Sequence, residues 1–281
     1  MTTEARAVIV RGLSKSYGRI HAVRHLDLDV AYGEIFAILG PNGAGKSTTI
    51  EILEGHRSRS AGQVHVLGED PGTAGRAWRA KIGVVLQDSS DFGVLTVAET
   101  IQMFAKCYGK SRNSEELLEL VGLQSTSASK VRTLSGGQRR RLDVALGIIA
   151  EPELLFLDEP TTGFDPEARR QFWDLIRLLA ADGTTIVLTT HYLEEAAALA
   201  DRVAVIADGR VVAVDSPARL TAHLDTSAIV RWMEGGVMRM LETDHPTELI
   251  RQHSANGSEL EGLTVTRPTL EDAYLQLIGR A

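Results

Sequence analysis

The chain has 281 residues, a net charge of −7, 43% hydrophobic and 24% charged residues. That is the balance of an ordinary globular protein, long enough for one large domain or a domain with an appendage. The acidic balance argues against a general nucleic-acid binder. A single cysteine, Cys107, rules out an intrachain disulfide and a thiolate metal cluster. The opening Met1-Thr2-Thr3-Glu4-Ala5-Arg6 lacks the apolar core of a secretory signal. No window reaches about 18 uninterrupted apolar residues, so action at a membrane would run through a partner.

In chain order, short β-branched runs alternate with helical patterns, which predicts a mostly parallel sheet flanked by helices. Val8–Val10 and Ala22–Val30 read as early strands, and Glu34–Leu39 as a buried strand ending at Gly40. A helix is expected from about Lys46. Gln63–Leu67 and Ile82–Leu86 read as further strands. A helix-rich block follows, with Val97–Tyr108, Ser114–Val121 and a helix after Ser135-Gly136-Gly137. Cys107 falls within the first of these and reads as a small buried side chain rather than a reactive thiol. Leu154–Leu157 and Thr185–Thr189 read as buried strands, Pro166–Ala181 and His191–Ala200 as helices. Arg202–Ala207 and Arg210–Asp215, joined by Asp208-Gly209, predict a hairpin. Ser216-Pro217 marks a change of pattern. Beyond it, strands are expected near Ile229–Met233, Val237–Leu241 and Leu263–Thr266, with helices after Pro246 and over Thr269–Ile278. Gly235-Gly236 marks a turn.

Three segments carry chemistry. Gly40-Pro41-Asn42-Gly43-Ala44-Gly45-Lys46-Ser47-Thr48 fits the phosphate-binding loop pattern in its required setting, after a strand and before a helix. Its glycines let successive N–H groups turn toward phosphate oxygens, and the helix start adds positive potential. Lys46 would neutralise the β- and γ-phosphates and Ser47 would ligate Mg²⁺. Leu154–Leu157 ends in Asp158-Glu159. Asp158 would hold Mg²⁺ through water, and Glu159 would polarise the attacking water. Leu134-Ser135-Gly136-Gly137-Gln138 supplies a hydroxyl, two permissive glycines and a helix start, which makes a second anion site.

That pentapeptide, ending twenty residues before Asp158, resembles the signature motif of ATP-binding-cassette proteins. The resemblance covers about residues 6–220. It implies an α/β P-loop NTPase cassette: a mostly parallel sheet core, an antiparallel β subdomain, and a helical subdomain at about residues 90–150. The expected boundaries are 1–220 for this cassette and 221–281 for a small C-terminal α/β appendage. It also implies ATP and Mg²⁺ as ligands and a head-to-tail dimer, in which Ser135 and Gly137 of one copy meet the γ-phosphate held by the other. Gln87 matches the glutamine that senses Mg²⁺ and the attacking water. His191 matches the switch histidine that contacts the γ-phosphate and orients Glu159. Asp165 matches the loop that crosses the dimer interface, and Tyr17 the aromatic that stacks on adenine. Gly40, Asn42, Gly43, Gly45 and Thr48 complete the expected nucleotide contacts.

The run Arg139-Arg140-Arg141 reads as a solvated helix face, with a nucleotide-contacting role as the alternative. Arg267-Pro268-Thr269-Leu270-Glu271-Asp272-Ala273-Tyr274-Leu275 looks like the closing segment of daunorubicin-resistance exporter ATPases. The resemblance thus implies a cytoplasmic ATPase on the inner face of the cell membrane, working with a separate transmembrane permease and a second nucleotide-binding domain, and no nucleic acid. Drug, antibiotic or lipid export is the expected role; an importer ATPase and a soluble cassette protein outside transport are the alternatives. The docking surface expected for the permease is about Asp88–Ile101.

Overall fold

The computed structural model describes residues 5–86, 93–222, 227–254, 259–267 and 269–279. Contacts divide the chain into two compact units, one up to Ser216 and one from Pro217.

In chain order the first unit contains β1 (Arg6–Tyr17), β2 (Ile20–Ala31), β3 (Ile35–Leu39), α1 (Lys46–Leu53), β4 (Ala61–Val66), α2 (Arg76–Arg79) and β5 (Ile82–Val85). It continues with α3 (Val97–Ala105), α4 (Ser114–Leu120), α5 (Gly136–Ile148), β6 (Leu154–Asp158), α6 (Pro166–Ala181), β7 (Thr185–Thr190), α7 (Leu193–Leu199), β8 (Arg202–Ala207) and β9 (Arg210–Asp215).

Six strands form the central sheet in the order β5-β6-β7-β3-β8-β9. All neighbours run parallel except the β8–β9 pair. Every residue of β3, β6 and β7 is buried, which explains why their centres read as apolar runs rather than alternating patterns, with polar residues only at the ends of β6 and β7. Leu39 pairs with Thr190 and Asp158 with Thr189, so the three central strands end side by side. The phosphate-loop candidate, the acid pair and His191 all lie at or just past these ends.

A second sheet, β2-β1-β4, is antiparallel. β1 and β2 each run 12 residues, longer than the apolar runs suggested. Their solvent-facing positions are mostly polar, so hydrophobicity marks only about half of each strand. Val8, Val10, Leu13, Val23 and Leu26 enter one core with Ile50, Ile38 and Phe156, which ties this sheet to α1 and the central sheet.

The helix-rich block is α3, α4 and α5. A capping box starts α3: Thr96 Oγ1 accepts from Glu99 N at 3.2 Å and Glu99 Oε2 accepts from Thr96 N at 2.8 Å. This helix ends at Ala105, short of the expected Tyr108. Cys107 is past the end, where its N–H turns back to Phe104 O at 2.9 Å, and it is exposed, not buried. The expected helix at His191 begins at Leu193, leaving His191 in the turn after β7.

The second unit contains α8 (Pro217–Ala222), β10 (Ala228–Glu234), β11 (Val237–Thr243), α9 (Pro246–His253), β12 (Thr264–Thr266) and α10 (Leu270–Gly279). Its sheet is antiparallel in the order β11-β10-β12. Gly235 and Gly236 both have positive φ, 59° and 80°, as a tight two-residue hairpin requires. Trp232 is buried, with the His253 ring 4.7 Å away.

Candidate active site

The loop between β3 and α1 wraps a cavity of about 520 Å³ lined by Asn42, Gly43, Lys46, Ser47, Thr48 and Glu159. Gly45 caps α1 at φ 99°, and a Cβ there would lie 2.4 Å from Ala22 O. Only glycine satisfies both the conformation and the space. The first N–H groups of α1 face the cavity end of the helix, where none has an intrahelical acceptor. Lys46 is buried; its Nζ donates to Gly40 O at 2.9 Å and Pro41 O at 3.3 Å and lies 3.4 Å from Glu159 Oε1.

Asp158 ends β6. Its Oδ1 accepts hydrogen bonds from Ser47 Oγ at 3.4 Å and from Thr189 Oγ1. Glu159 follows at φ 44°, an uncommon conformation for a residue with a side chain. The Glu159 N–H is shared between Thr189 Oγ1 at 3.0 Å and Thr189 O at 3.2 Å. The carboxylate spans two nitrogen partners: the Lys46 ammonium 3.4 Å from Oε1, and His191 Nδ1 3.2 Å from Oε2. Thr162 Oγ1 donates to the same Oε2 at 3.4 Å. The His191–Glu159 approach has the distance of an ion pair without hydrogen-bond alignment, and His191 Nδ1 is buried without a hydrogen bond among the described residues. The Ser47 hydroxyl and the Asp158 carboxylate meet as hard oxygen donors, a set that fits Mg²⁺, which keeps several waters and takes few protein ligands.

Ser135, Gly137, Asp165 and Tyr17 do not line this cavity. Ser135 is the exposed N-cap of α5, in a capping box with Gln138: Ser135 Oγ accepts from Gln138 N at 3.2 Å, and Gln138 Oε1 from Ser135 N at 3.0 Å. Asp165 is the N-cap of α6, accepting from Glu167 N at 3.0 Å and Ala168 N at 2.8 Å. A Cβ on Gly137 would stand 3.6 Å from Ala168 Cβ, so the starts of α5 and α6 are neighbours. Neither Ser135, Gly137 nor Asp165 lines the cavity. Tyr17 ends β1, 39% exposed, with Lys15 Nζ 5.0 Å and Arg57 Cζ 5.4 Å from its ring centroid. Gln87 lies outside the described residues, as do residues 88–92 of the expected docking surface.

The arginine run corrects the sequence reading. Arg140 is buried, and its guanidinium donates to main-chain carbonyls of Leu86, Asp158 and Pro160. Arg139 donates to Val131 O at 3.1 Å, and Arg141 to Val121 O and Gln171 Oε1 at 3.3 and 2.6 Å. The run is therefore structural wiring, neither a solvated face nor a contact with the cavity. Helical phase held the clue, since Arg140 shares a stripe with the buried Val144 and Ile148.

A second unforeseen group is Glu54, the C-cap of α1. It is 3% exposed, and its Oε1 makes no hydrogen bond among the described residues. Burial first, then the charges of Asp158 and Glu51, push its carboxyl up to about 8.

Comparison with known proteins accords with this geometry. Residues 23–162 match the sequence family described as ABC transporter. The daunorubicin resistance ATP-binding protein DrrA3 of Streptomyces coeruleorubidus is 38% identical, over 97% of this chain and 96% of its own length. The Nod factor export ATP-binding protein I of Rhizobium sp. (strain N33) is also 38% identical, over 98% and 97%. Among solved structures, an ATP-binding subunit of an ABC transporter superposes with a TM-score of 0.72 at 24% identity, over 96% of this chain and 99% of the other. A dimeric ATP-binding cassette in a post-hydrolysis state with ADP and Pi gives 0.67 at 26% identity, over 74% and 98%. With a phosphate loop, an acid pair and a histidine gathered at adjacent strand ends, and relatives matched over nearly their whole length, this chain belongs to the ATPase subunits of ATP-binding-cassette transporters.

Proposed function

We propose that the chain hydrolyses ATP as one of two cassettes that drive a separate membrane permease, and that the cargo moves outward. The relatives' roles in daunorubicin resistance and Nod factor export support export of a drug-like or lipid-like molecule. Among the described residues, no helix is long and apolar enough to cross a membrane, so the path for the cargo is assigned to a partner. The chain would then work on the inner face of the cell membrane, held there by the permease.

The observation that carries the reading is the Glu159 carboxylate bridging Lys46 and His191 beside the phosphate-loop cavity. A triphosphate entering the cavity gives Lys46 a stronger anion than Glu159, freeing Oε1. Glu159 then accepts a proton from water as the water oxygen attacks the γ-phosphorus and the bond to the β-phosphate oxygen breaks. His191 orients Oε2. Ser47 and Asp158 would hold Mg²⁺, which neutralises charge on the phosphate oxygens. Gln87 is assigned to sense the metal and the attacking water, and Tyr17 to stack on adenine. Ser135, Gly137 and Asp165 stand away from the cavity of their own chain, which supports their use on the nucleotide of a second copy.

Glu159→Gln tests this directly. The variant should keep ATP binding, lose turnover at least tenfold, and elute as an ATP-dependent dimer on a sizing column. Unchanged steady-state hydrolysis removes Glu159 from the role of base.

A further inference from the structure

Arg140 stands between two sets of groups. Five residues before it, Ser135 caps the helix start assigned to the partner's nucleotide; its guanidinium reaches the strand ends assigned to the chain's own. Nε donates to Pro160 O at 3.0 Å and Nη2 to Asp158 O at 2.8 Å, and Nη1 donates to Leu86 O. The carbonyls of Asp158 and Pro160 belong to the residues on either side of Glu159, and Leu86 immediately precedes Gln87. The guanidinium therefore brackets the proposed base and fixes the exit of the strand leading to Gln87. Glu159 is at φ 44°, a conformation that persists only when neighbouring contacts over-determine it. Arg140 supplies two of those contacts and Thr189 the others. The acids near Arg140 are Asp143, Asp158 and Glu195. Glu195 is itself buried, accepting from Thr161 Oγ1 at 2.8 Å and Trp173 Nε1 at 3.2 Å. Among the described residues, the hydrogen-bond acceptors of Arg140 are all carbonyl oxygens of the main chain, so what it holds is backbone position.

We propose that Arg140 is a positioning residue that makes alignment of the base in one nucleotide site depend on the engagement of that chain's signature helix with the other site. α5 is a rigid rod whose start lies roughly 7 Å from Arg140, at about 1.5 Å per residue. A shift of Ser135 on meeting the partner's phosphate moves the guanidinium, and with it the peptide planes flanking Glu159. The planar five-donor fork of arginine suits this; a lysine ammonium is a point donor and cannot hold three carbonyls in the same geometry. The proposal rests on the two-copy reading above.

The test uses the full chain with Arg140→Gln and Arg140→Lys. Steady-state hydrolysis is measured against ATP concentration at fixed protein, MgADP affinity by calorimetry, and the dimer of the Glu159→Gln protein by sizing column. The parent should hydrolyse ATP with a Hill coefficient above 1. Both Arg140 variants should bind MgADP within twofold of the parent, lose kcat at least tenfold, and move the Hill coefficient to 1. Variants that keep the parent's Hill coefficient, or that lose MgADP binding along with kcat, overturn the proposal and make Arg140 a scaffold residue alone. A parent with a coefficient of 1, together with a Glu159→Gln protein that stays monomeric in ATP, removes the two-copy reading itself.

Discussion

Glu54 offers a quantitative test of the packing beneath the phosphate loop. The residue closes α1, whose C-terminal carbonyls disfavour a nearby negative charge, and burial raises its carboxyl from 4.5 to about 8. His56 Nδ1 lies 3.1 Å from Oε2 and would favour the carboxylate if charged. Its side chain is 59% exposed, so water screens it and burial decides the direction. Between pH 4.5 and 8 the folded state holds a proton that the unfolded chain releases. Stability from this site is fully present below 4.5, declines through that window by about 1.4 kcal/mol per pH unit, and is flat above it. By pH 7 the accumulated loss is roughly 3 kcal/mol. Glu54→Gln keeps the shape of the neutral acid and cannot ionise. Urea unfolding of parent and variant should therefore nearly coincide at pH 4, differ by about 1 kcal/mol at pH 5 and separate by roughly 3 kcal/mol at pH 7, the variant being the more stable. Parallel stability curves from pH 5 to 8.5 would refute the assignment of a buried, protonated Glu54.

Gly45→Ala places a Cβ 2.4 Å from Ala22 O on a backbone at φ 99°. The expected loss is about 1–3 kcal/mol of stability, read from thermal unfolding, and a variant as stable as the parent means the loop is not held as described. Lys46→Ala removes the cation between the loop carbonyls and Glu159. ATP affinity by calorimetry should fall at least tenfold, and equal affinity rejects the phosphate-loop assignment.

The site was legible where chemistry and local structure coincide. Glycines at fixed spacing between a buried strand and a helix announce a phosphate loop, and an apolar run ending in Asp158-Glu159 announces a strand end. The buried strands were legible because both faces are covered, so their central positions form unbroken apolar runs. β1 and β2 were read short because their exposed positions carry polar residues that interrupt the pattern. Arg140 was hidden because its three acceptors are carbonyls, identical in every residue, on segments 18 to 54 residues away in sequence. Glu54 was hidden because burial is a tertiary property; nothing in Leu53-Glu54-Gly55 distinguishes it from a solvated helix end.

The parallel pairing of Asp158 with Thr189 and of Leu39 with Thr190 has an evolutionary corollary. Adjacent strands act as a comb with teeth about 4.8 Å apart, and the reacting groups are the tips. Losing one residue from β6 would pull Asp158 back along its tooth and swing its carboxylate to the opposite face of the sheet. Length changes in this lineage should accordingly be confined to the connecting segments, while the tooth lengths stay constant even where their side chains drift.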